Sequence, residues 1–162
     1  MTTGIAIIGA GMIGAAHASG YRTHLPRTGL DARLATVCDM SEAQAGALAR
    51  SWGFEGTATD WRGVIADPEI GIVSVCLPNF LHGEVARAAL EAGKHVLCEK
   101  PLAITLPDAR RTRDAARAAS GVSGTVFNYR RIPAVADIRA RVAAGELGDP
   151  VQITVFYQCD YA

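Results

Sequence analysis

An α/β fold built on a doubly wound parallel sheet (a Rossmann arrangement) is what this sequence predicts, on three observations. Short, near-continuous apolar runs recur at residues 5–8, 34–38, 70–77 and 95–98, the signature of strands buried on both faces. A helical pattern follows each run, so the strands are joined by crossovers and the sheet is parallel and covered on both sides. The first run passes directly into Gly9-Ala10-Gly11-Met12-Ile13-Gly14, a Gly-x-Gly-x-x-Gly turn out of which a helix must start.

The elements follow in order. The strand at 5–8 leads into a helix over 11–24. A second strand ends at Asp39, and Ser41 is the N-cap of a helix running through Arg50. Gly53 and Gly56 mark a loop, and a short helix begins at Asp60 and stops before Pro68, because a proline disfavours helical backbone in the residue before it. The long apolar strand at 70–77 is followed by a helix over 79–92 with Gly93 at its C-terminal end, then by a strand at 95–98. A helix over 107–119 and a strand at 124–127, the fifth or sixth, complete the pattern.

The remainder reads differently. Residues 132–144 form an amphipathic helix closed by Gly145, and after Pro150 the run 151–158 starts with a period of two, which marks a half-buried antiparallel strand. Such a strand has nothing of its own to pair with, so it is expected to pair with another chain or with the first sheet. The expected division is a dinucleotide-binding domain over 1–128, then a bridging helix and the start of a truncated second domain over 129–162.

Composition narrows the class. A chain of 162 residues with zero formal net charge, 49% hydrophobic and 20% charged residues, has the make-up of an ordinary globular domain. No global field favours nucleic acid or an anionic membrane, and no apolar run is long enough to cross a bilayer. The first strand starts too early to leave room for a leader, so the expected compartment is the cytoplasm. Cys38, Cys76, Cys98 and Cys159 form no Cys-x-x-Cys pair and no zinc spacing; they read as reduced, mostly buried thiols, and no metal site is expected.

The candidate site residues lie at strand ends. In the turn Gly9, Gly11, Met12, Ile13 and Gly14, the first glycine permits the tight turn, the second lets backbone approach a pyrophosphate, and the third lets the helix lie close on its strand. The helix N-terminus adds free N–H groups and the positive end of its dipole. A purely structural turn is the alternative. Asp39 lies 25 positions beyond Gly14, where a carboxylate accepts ribose hydroxyls and repels a 2′-phosphate; with no arginine directly after it, NAD is favoured over NADP. Otherwise Asp39 only caps the next helix. Pro78 and Asn79 end a strand at the mouth of the sheet, and both contact with cofactor and plain turn chemistry account for them. His82, in the first turn of the following helix, is a candidate at the same edge, although helical histidines are more often packed.

Glu99, Lys100 and Pro101 end another strand there. Lys94 and Lys100 are the only lysines in a chain that otherwise uses arginine. A retained lysine suggests a need for a compact charge, whereas Lys94, after a helix–strand turn, reads as an ordinary surface residue. Asn128, Tyr129, Arg130 and Arg131 follow the last strand of the sheet; they either hold phosphate or substrate hydroxyls or cap the next helix. The run Arg110-Arg111-Thr112-Arg113 is a solvated helix face rather than a nucleic-acid patch.

Taken together, these segments resemble the Gfo/Idh/MocA oxidoreductase family over all 162 residues. The resemblance rests on Gly9 to Gly14, on Val75-Cys76-Leu77-Pro78-Asn79-Phe80-Leu81-His82, on Gly93-Lys94-His95-Val96-Leu97-Cys98-Glu99-Lys100-Pro101-Leu102-Ala103, on Asn128-Tyr129-Arg130-Arg131-Ile132-Pro133, and on Gly145-Glu146-Leu147-Gly148-Asp149-Pro150. It implies a nicotinamide-binding Rossmann domain followed by an α+β substrate domain, and oxidation of a secondary alcohol of a sugar, inositol or related polyol by NAD or NADP. It implies Lys100 as the catalytic lysine, a cis peptide before Pro101, Asn79 and Glu99 beside the cofactor, and Tyr129 and Arg130 near substrate or nicotinamide. Homo-oligomers are common in the family. Its other catalytic residues, an Asp and a His, would lie beyond residue 162, and Gln158, Asp160 and Tyr161 would open the second domain. A non-catalytic NAD-binding regulatory or sensing module is the alternative function; the Glu99-Lys100-Pro101 segment speaks against an S-adenosylmethionine enzyme.

Overall fold

The computed structural model describes residues 2–158, and in it six strands make one parallel sheet. They are β1 (Thr3–Ile8), β2 (Ala32–Cys38), β3 (Gly56–Ala58), β4 (Ile70–Val75), β5 (His95–Cys98) and β6 (Ser123–Thr125). Their order is β3-β2-β1-β4-β5-β6, with every pairing parallel, which is the doubly wound topology. The helices between them are α1 (Met12–His24), α2 (Glu42–Trp52), α3 (Trp61–Ala66), α4 (His82–Glu91) and α5 (Leu106–Ala118). Ser41, Asp60 and Thr105 cap α2, α3 and α5, each accepting a backbone N–H from the first turn.

Alternation along β1 feeds two cores. Ile5 and Ile7 face Ala18 of α1, Leu34 and Val37 of β2, and Ala45, Leu48 and Ala49 of α2. Ala6 and Ile8 face the opposite layer, built from Val64 and Ile65 of α3 and Val85, Ala86, Ala89 and Leu90 of α4. The α1 face of the sheet is not closed throughout. A groove of about 440 Å³ lined by Ile5, Tyr21, Leu25, Ile72, Leu97 and Val126 lies there, so the expectation of a sheet covered on both faces holds for one face more fully than for the other.

Several elements differ from expectation. The loop around Gly56 contains β3, an edge strand paired Thr36 to Gly56 and Cys38 to Ala58; three small residues carry no apolar run, and pairing alone makes them a strand. The expected helix over 79–92 divides into a 3-10 turn, Asn79–Leu81, and α4, because Leu81 N–H donates to the Pro78 carbonyl in an i to i+3 bond. Lys94 is not a surface residue. It is 8% exposed, and its Nζ donates to the carbonyls of Asp67 and Ile70 at 2.8 and 2.7 Å, tying the turn between α3 and β4 to the start of β5.

Between α4 and α5, Arg87 donates to Asp108 at 2.6 Å and to Thr112 at 2.9 Å, and Arg111 adds a second bond to Asp108 at 3.2 Å. Desolvation alone would push the Asp108 carboxyl up, but the hydrogen bonds and charge of Arg87 and Arg111 outweigh it and hold the group below the usual carboxylate range. Arg113 pairs with Asp114, so the arginine-rich stretch of α5 is an ion-paired helix face.

A second compact unit, Phe127–Ala162, follows the first, Met1–Val126. It holds a 3-10 turn, Asn128–Arg131, and α6 (Pro133–Ala143), with Gly145 at φ +76° beyond the helix end. The Tyr129 and Tyr157 rings meet at 5.5 Å between centroids. The run 151–158 is not a strand, and Val151, Ile153, Val155 and Phe156 are exposed. The alternating pattern is present, but a strand exists only through its ladder, and the described residues form no ladder with this run. Cys159, Asp160 and Tyr161 lie outside the described residues.

Replacing Lys94 with methionine would keep the stem and remove the ammonium's bonds to the carbonyls of Asp67 and Ile70. Lys94→Met is expected to lower stability by about 2–4 kcal/mol, read from urea denaturation. A change under about 0.5 kcal/mol would mean that water replaces the ammonium.

Candidate cofactor-binding site

Because all six strands are parallel, their carboxyl ends share one edge, and the loops there start from a common level. Gly9 N–H donates to the Cys38 carbonyl, Cys76 N–H to that of Ile8, and Glu99 N–H to that of Val75, at 2.8–3.0 Å. These bonds carry the ladder just past the strands and fix where each loop begins.

The glycine turn uses its three glycines differently. Gly9 has φ +108°, and a Cβ there would lie 2.3 Å from the Cys76 carbonyl oxygen. A Cβ on Gly14 would lie 2.0 Å from the Gly9 carbonyl oxygen, so α1 touches the turn at that point. Gly11 is the opposite case. It is the N-cap of α1 in extended backbone, no side chain caps the helix, and its first turn holds no acidic residue. A Cβ on Gly11 would meet nothing within 4 Å, so packing does not demand a glycine there. Bare backbone at an uncapped helix N-terminus, opening on empty space, fits a phosphate group. Met12 and Ile13 are exposed beside it.

Asp39, half-buried at the end of β2, does more than cap a helix. Its Oδ2 accepts Ala10 N–H at 2.8 Å and its Oδ1 accepts Ser41 N–H at 2.9 Å. The carboxylate therefore ties the glycine turn to the start of α2. Each oxygen keeps a further lone pair, so the group still has capacity for hydroxyl donors.

Beyond β4 and β5 the candidate residues separate into an exposed rim and a buried floor. Pro78, Asn79, Lys100 and Pro101 are exposed, whereas Glu99 and His82 are buried. The Lys100–Pro101 peptide is cis, as the resemblance implies. His82 is 1% exposed, with Nε2 2.7 Å from the Leu77 carbonyl oxygen and Nδ1 2.7 Å from that of Pro101. Both ring nitrogens are taken up within the protein, so the structure gives His82 the role of a strut joining the two loops rather than that of a direct ligand contact. Asn128 and Arg130 lie in the second unit, exposed on its 3-10 turn.

His17 is the residue that sequence reasoning missed. Its Nε2 lies 3.0 Å from Glu99 Oε1, and the other carboxylate oxygen accepts Lys100 N–H at 3.1 Å. His17 and Tyr21 stand one turn apart on α1, and Tyr21 reaches Ser74 of β4 at 2.6 Å, so this side of the helix faces β4 and β5.

The cysteines near this edge are not nucleophiles. Burial and then the charge of Asp39 push the Cys38 thiol up to about 11. Burial and then the charge of Glu99 push Cys98 up to about 12 and raise Cys76 as well, and a neutral thiol is a poor nucleophile. Among the described residues no three His, Cys, Asp or Glu side chains gather as a metal site, and no helix is long and apolar enough to cross a membrane.

A glycine turn that packs at two positions and stays open at the third, with a carboxylate pinned at the neighbouring strand end, places this protein among the dinucleotide-binding α/β domains. Residues 3–127 match the Gfo/Idh/MocA family, described as an oxidoreductase family with an NAD-binding Rossmann fold. The chain belongs to that family. It is 37% identical to levoglucosan dehydrogenase of Pseudarthrobacter phenanthrenivorans over 98% of its own length and 41% of that enzyme. It is 39% identical to D-glucoside 3-dehydrogenase of Escherichia coli over 90% of its length and 40% of that protein. The solved structure of levoglucosan dehydrogenase with NADH superimposes on 91% of the chain and 41% of that chain with a TM-score of 0.84. The chain thus spans about two fifths of the length of the curated relatives it matches.

The glycines make opposite predictions. Gly14→Ala is expected to cost about 3 kcal/mol or more, since the new methyl meets backbone that cannot move aside. Gly11→Ala should cost no more than about 1 kcal/mol, the worth of an N-cap preference. Thermal and urea denaturation of both variants decide the matter, and equal losses would refute the division of labour.

Proposed function

We propose that this chain forms the cofactor half of an NAD-dependent oxidoreductase that oxidises a secondary alcohol of a sugar or related polyol. The observation that carries the reading is the pairing, on one edge of one sheet, of the open glycine turn with an exposed lysine. The relatives named for levoglucosan and D-glucoside support a carbohydrate as substrate. Residues 129–162 are then the start of the substrate domain, the assembly a homo-oligomer, and the compartment the cytoplasm, consistent with three unpaired thiols among the described residues.

Position along the sheet edge supports these roles. Gly9, whose own N–H is held by the Cys38 carbonyl, opens the turn, and the backbone N–H groups of Gly11, Met12, Ile13 and Gly14 face the phosphates. Asp39 takes the ribose hydroxyls of the adenosine, and its charge disfavours a 2′-phosphate. Pro78, Asn79, Glu99 and Pro101 bound the nicotinamide end, with His82 beneath them. Bound NAD supplies the hydride acceptor. Lys100 holds its ammonium at the reacting hydroxyl and stabilises the oxygen as its proton leaves. A lysine suits this better than an arginine, since a compact charge on a flexible stem can follow a single oxygen.

Two measurements test the reading. Calorimetric titration is expected to show NADH binding about tenfold or more tighter than NADPH, a difference of about 1.4 kcal/mol; equal affinities would remove the role given to Asp39. In the protein that carries this domain, Lys100→Ala should lower kcat by about 10²–10³ and leave NADH affinity unchanged. Weakened NADH binding with intact kcat would make Lys100 a cofactor ligand instead.

A further inference from the structure

The exposed ammonium of Lys100 can be no better placed than the backbone that carries it, and that backbone is held from below. Glu99 is the last anchored residue of the β5 edge. Its own N–H is fixed to the Val75 carbonyl at 3.0 Å, and its side chain turns back so that Oε2 accepts the next amide, Lys100 N–H, at 3.1 Å. The remaining oxygen, Oε1, meets His17 Nε2 at 3.0 Å. The side chains of His17 and Glu99 are 9% and 11% exposed, so this contact is within the protein rather than on its surface.

A buried carboxylate has to be hydrogen-bonded; Lys100 N–H serves Oε2, and what surrounds Glu99 leaves Oε1 to His17. Cys76 and Cys98, the two thiols whose proton affinity its charge raises, are neutral neighbours. The lysine buried at the far end of β5, Lys94, is committed to the carbonyls of Asp67 and Ile70. Nor does α1 need His17 for its attachment to this half of the sheet, because Tyr21 already reaches Ser74 one turn further on. His17 spans from α1 to Glu99 for a local purpose.

We infer that His17 is a positioning residue for Lys100: through Glu99 it holds the turn that carries the ammonium. The inference rests on the role proposed for Lys100. On the other side of the turn His82 holds the Pro101 carbonyl, so the segment is fixed from two helices, and support of this kind decides whether a site group is held or merely present.

Amide hydrogen exchange of this chain, followed by NMR at one pH, reads the brace directly. The Lys100 amide depends on the Glu99 carboxylate, while the Glu99 amide depends only on the Val75 carbonyl and the Ile7 amide reports the core. In His17→Ala, exchange at Lys100 is expected to accelerate about tenfold or more, with Glu99 and Ile7 unchanged. His17→Phe, which fills the space without a donor, gives the same result and serves if the alanine variant does not fold. His17→Gln, whose side-chain amide donates from near the Nε2 position, should return Lys100 to within about threefold of the parent.

Unchanged exchange at Lys100 in the Ala and Phe variants overturns the inference. So does equal acceleration at all three amides, which is a general loss of stability, and so does a Gln variant no better than Phe. NADH titration of the same samples separates the two ideas. A parent that shows the exchange pattern but takes up no NADH defeats the proposed function and leaves the brace. A parent that binds NADH without the pattern defeats the brace alone.

Discussion

The height of α1 above the sheet is set by a methyl group that is not there. At Gly14 a Cβ would stand 2.0 Å from the Gly9 carbonyl oxygen, so the helix rests with its backbone on the turn that starts it. Ala18, a turn later, continues the close approach and is fully buried against β1 and β2. With the helix this low, Tyr21 reaches Ser74 and His17 reaches Glu99. A bulkier residue at 14 would lift the N-terminus, and the polar ties to β4 and β5 would lengthen together with the glycine turn.

Those ties belong to a wider pattern in which one polar group, buried or half-buried, joins two segments. Asp39 joins the glycine turn to α2, Glu99 joins α1 to the Lys100 turn, and His82 joins the loop after β4 to the loop after β5. Lys94 does the same at the opposite end of β5. Each is costly to leave half-paired in a low-dielectric interior, so each fixes the spacing of the elements it joins. Above this floor the rim is exposed and small or flexible: Gly11, Met12, Pro78, Asn79 and Lys100. The loops are therefore rigid where they meet the sheet and accessible where a ligand would lie.

The strands of the first half were readable because burial on both faces leaves unbroken apolar runs, and the glycine turn because its spacing has a mechanical cause. What escaped has one physical character. β3 is a strand only because β2 pairs with it. Lys94 and His17 are buried polar residues whose partners lie 27 and 82 positions away, and no local pattern announces such a partner. The run 151–158 shows the converse: a clear alternation that forms no ladder among the described residues makes no strand. Periodicity reports what a segment would bury, and long-range pairing decides whether it does.

Strand order gives the edge a direction. Across the sheet from β2 to β5 the loops present, in turn, Asp39, the glycine turn, Pro78 with Asn79, and Glu99 with Lys100. Three strand spacings separate the first from the last, about 14 Å. An extended dinucleotide offers its groups in the same sequence: an adenosine ribose, a pyrophosphate, a second ribose and a reactive ring. The pyrophosphate position is the one that only bare backbone can serve, and Gly11 is the one glycine of the turn whose missing side chain leaves open space. If phosphates were held there, as proposed, Asp39 would stand one strand away on the adenosine side and Lys100 two strands away on the reactive side. The spacing of the loops that carry Asp39 and Lys100 is thus set by the parallel pairing, and the chemistry proposed for Lys100 depends on sheet topology as much as on the residue.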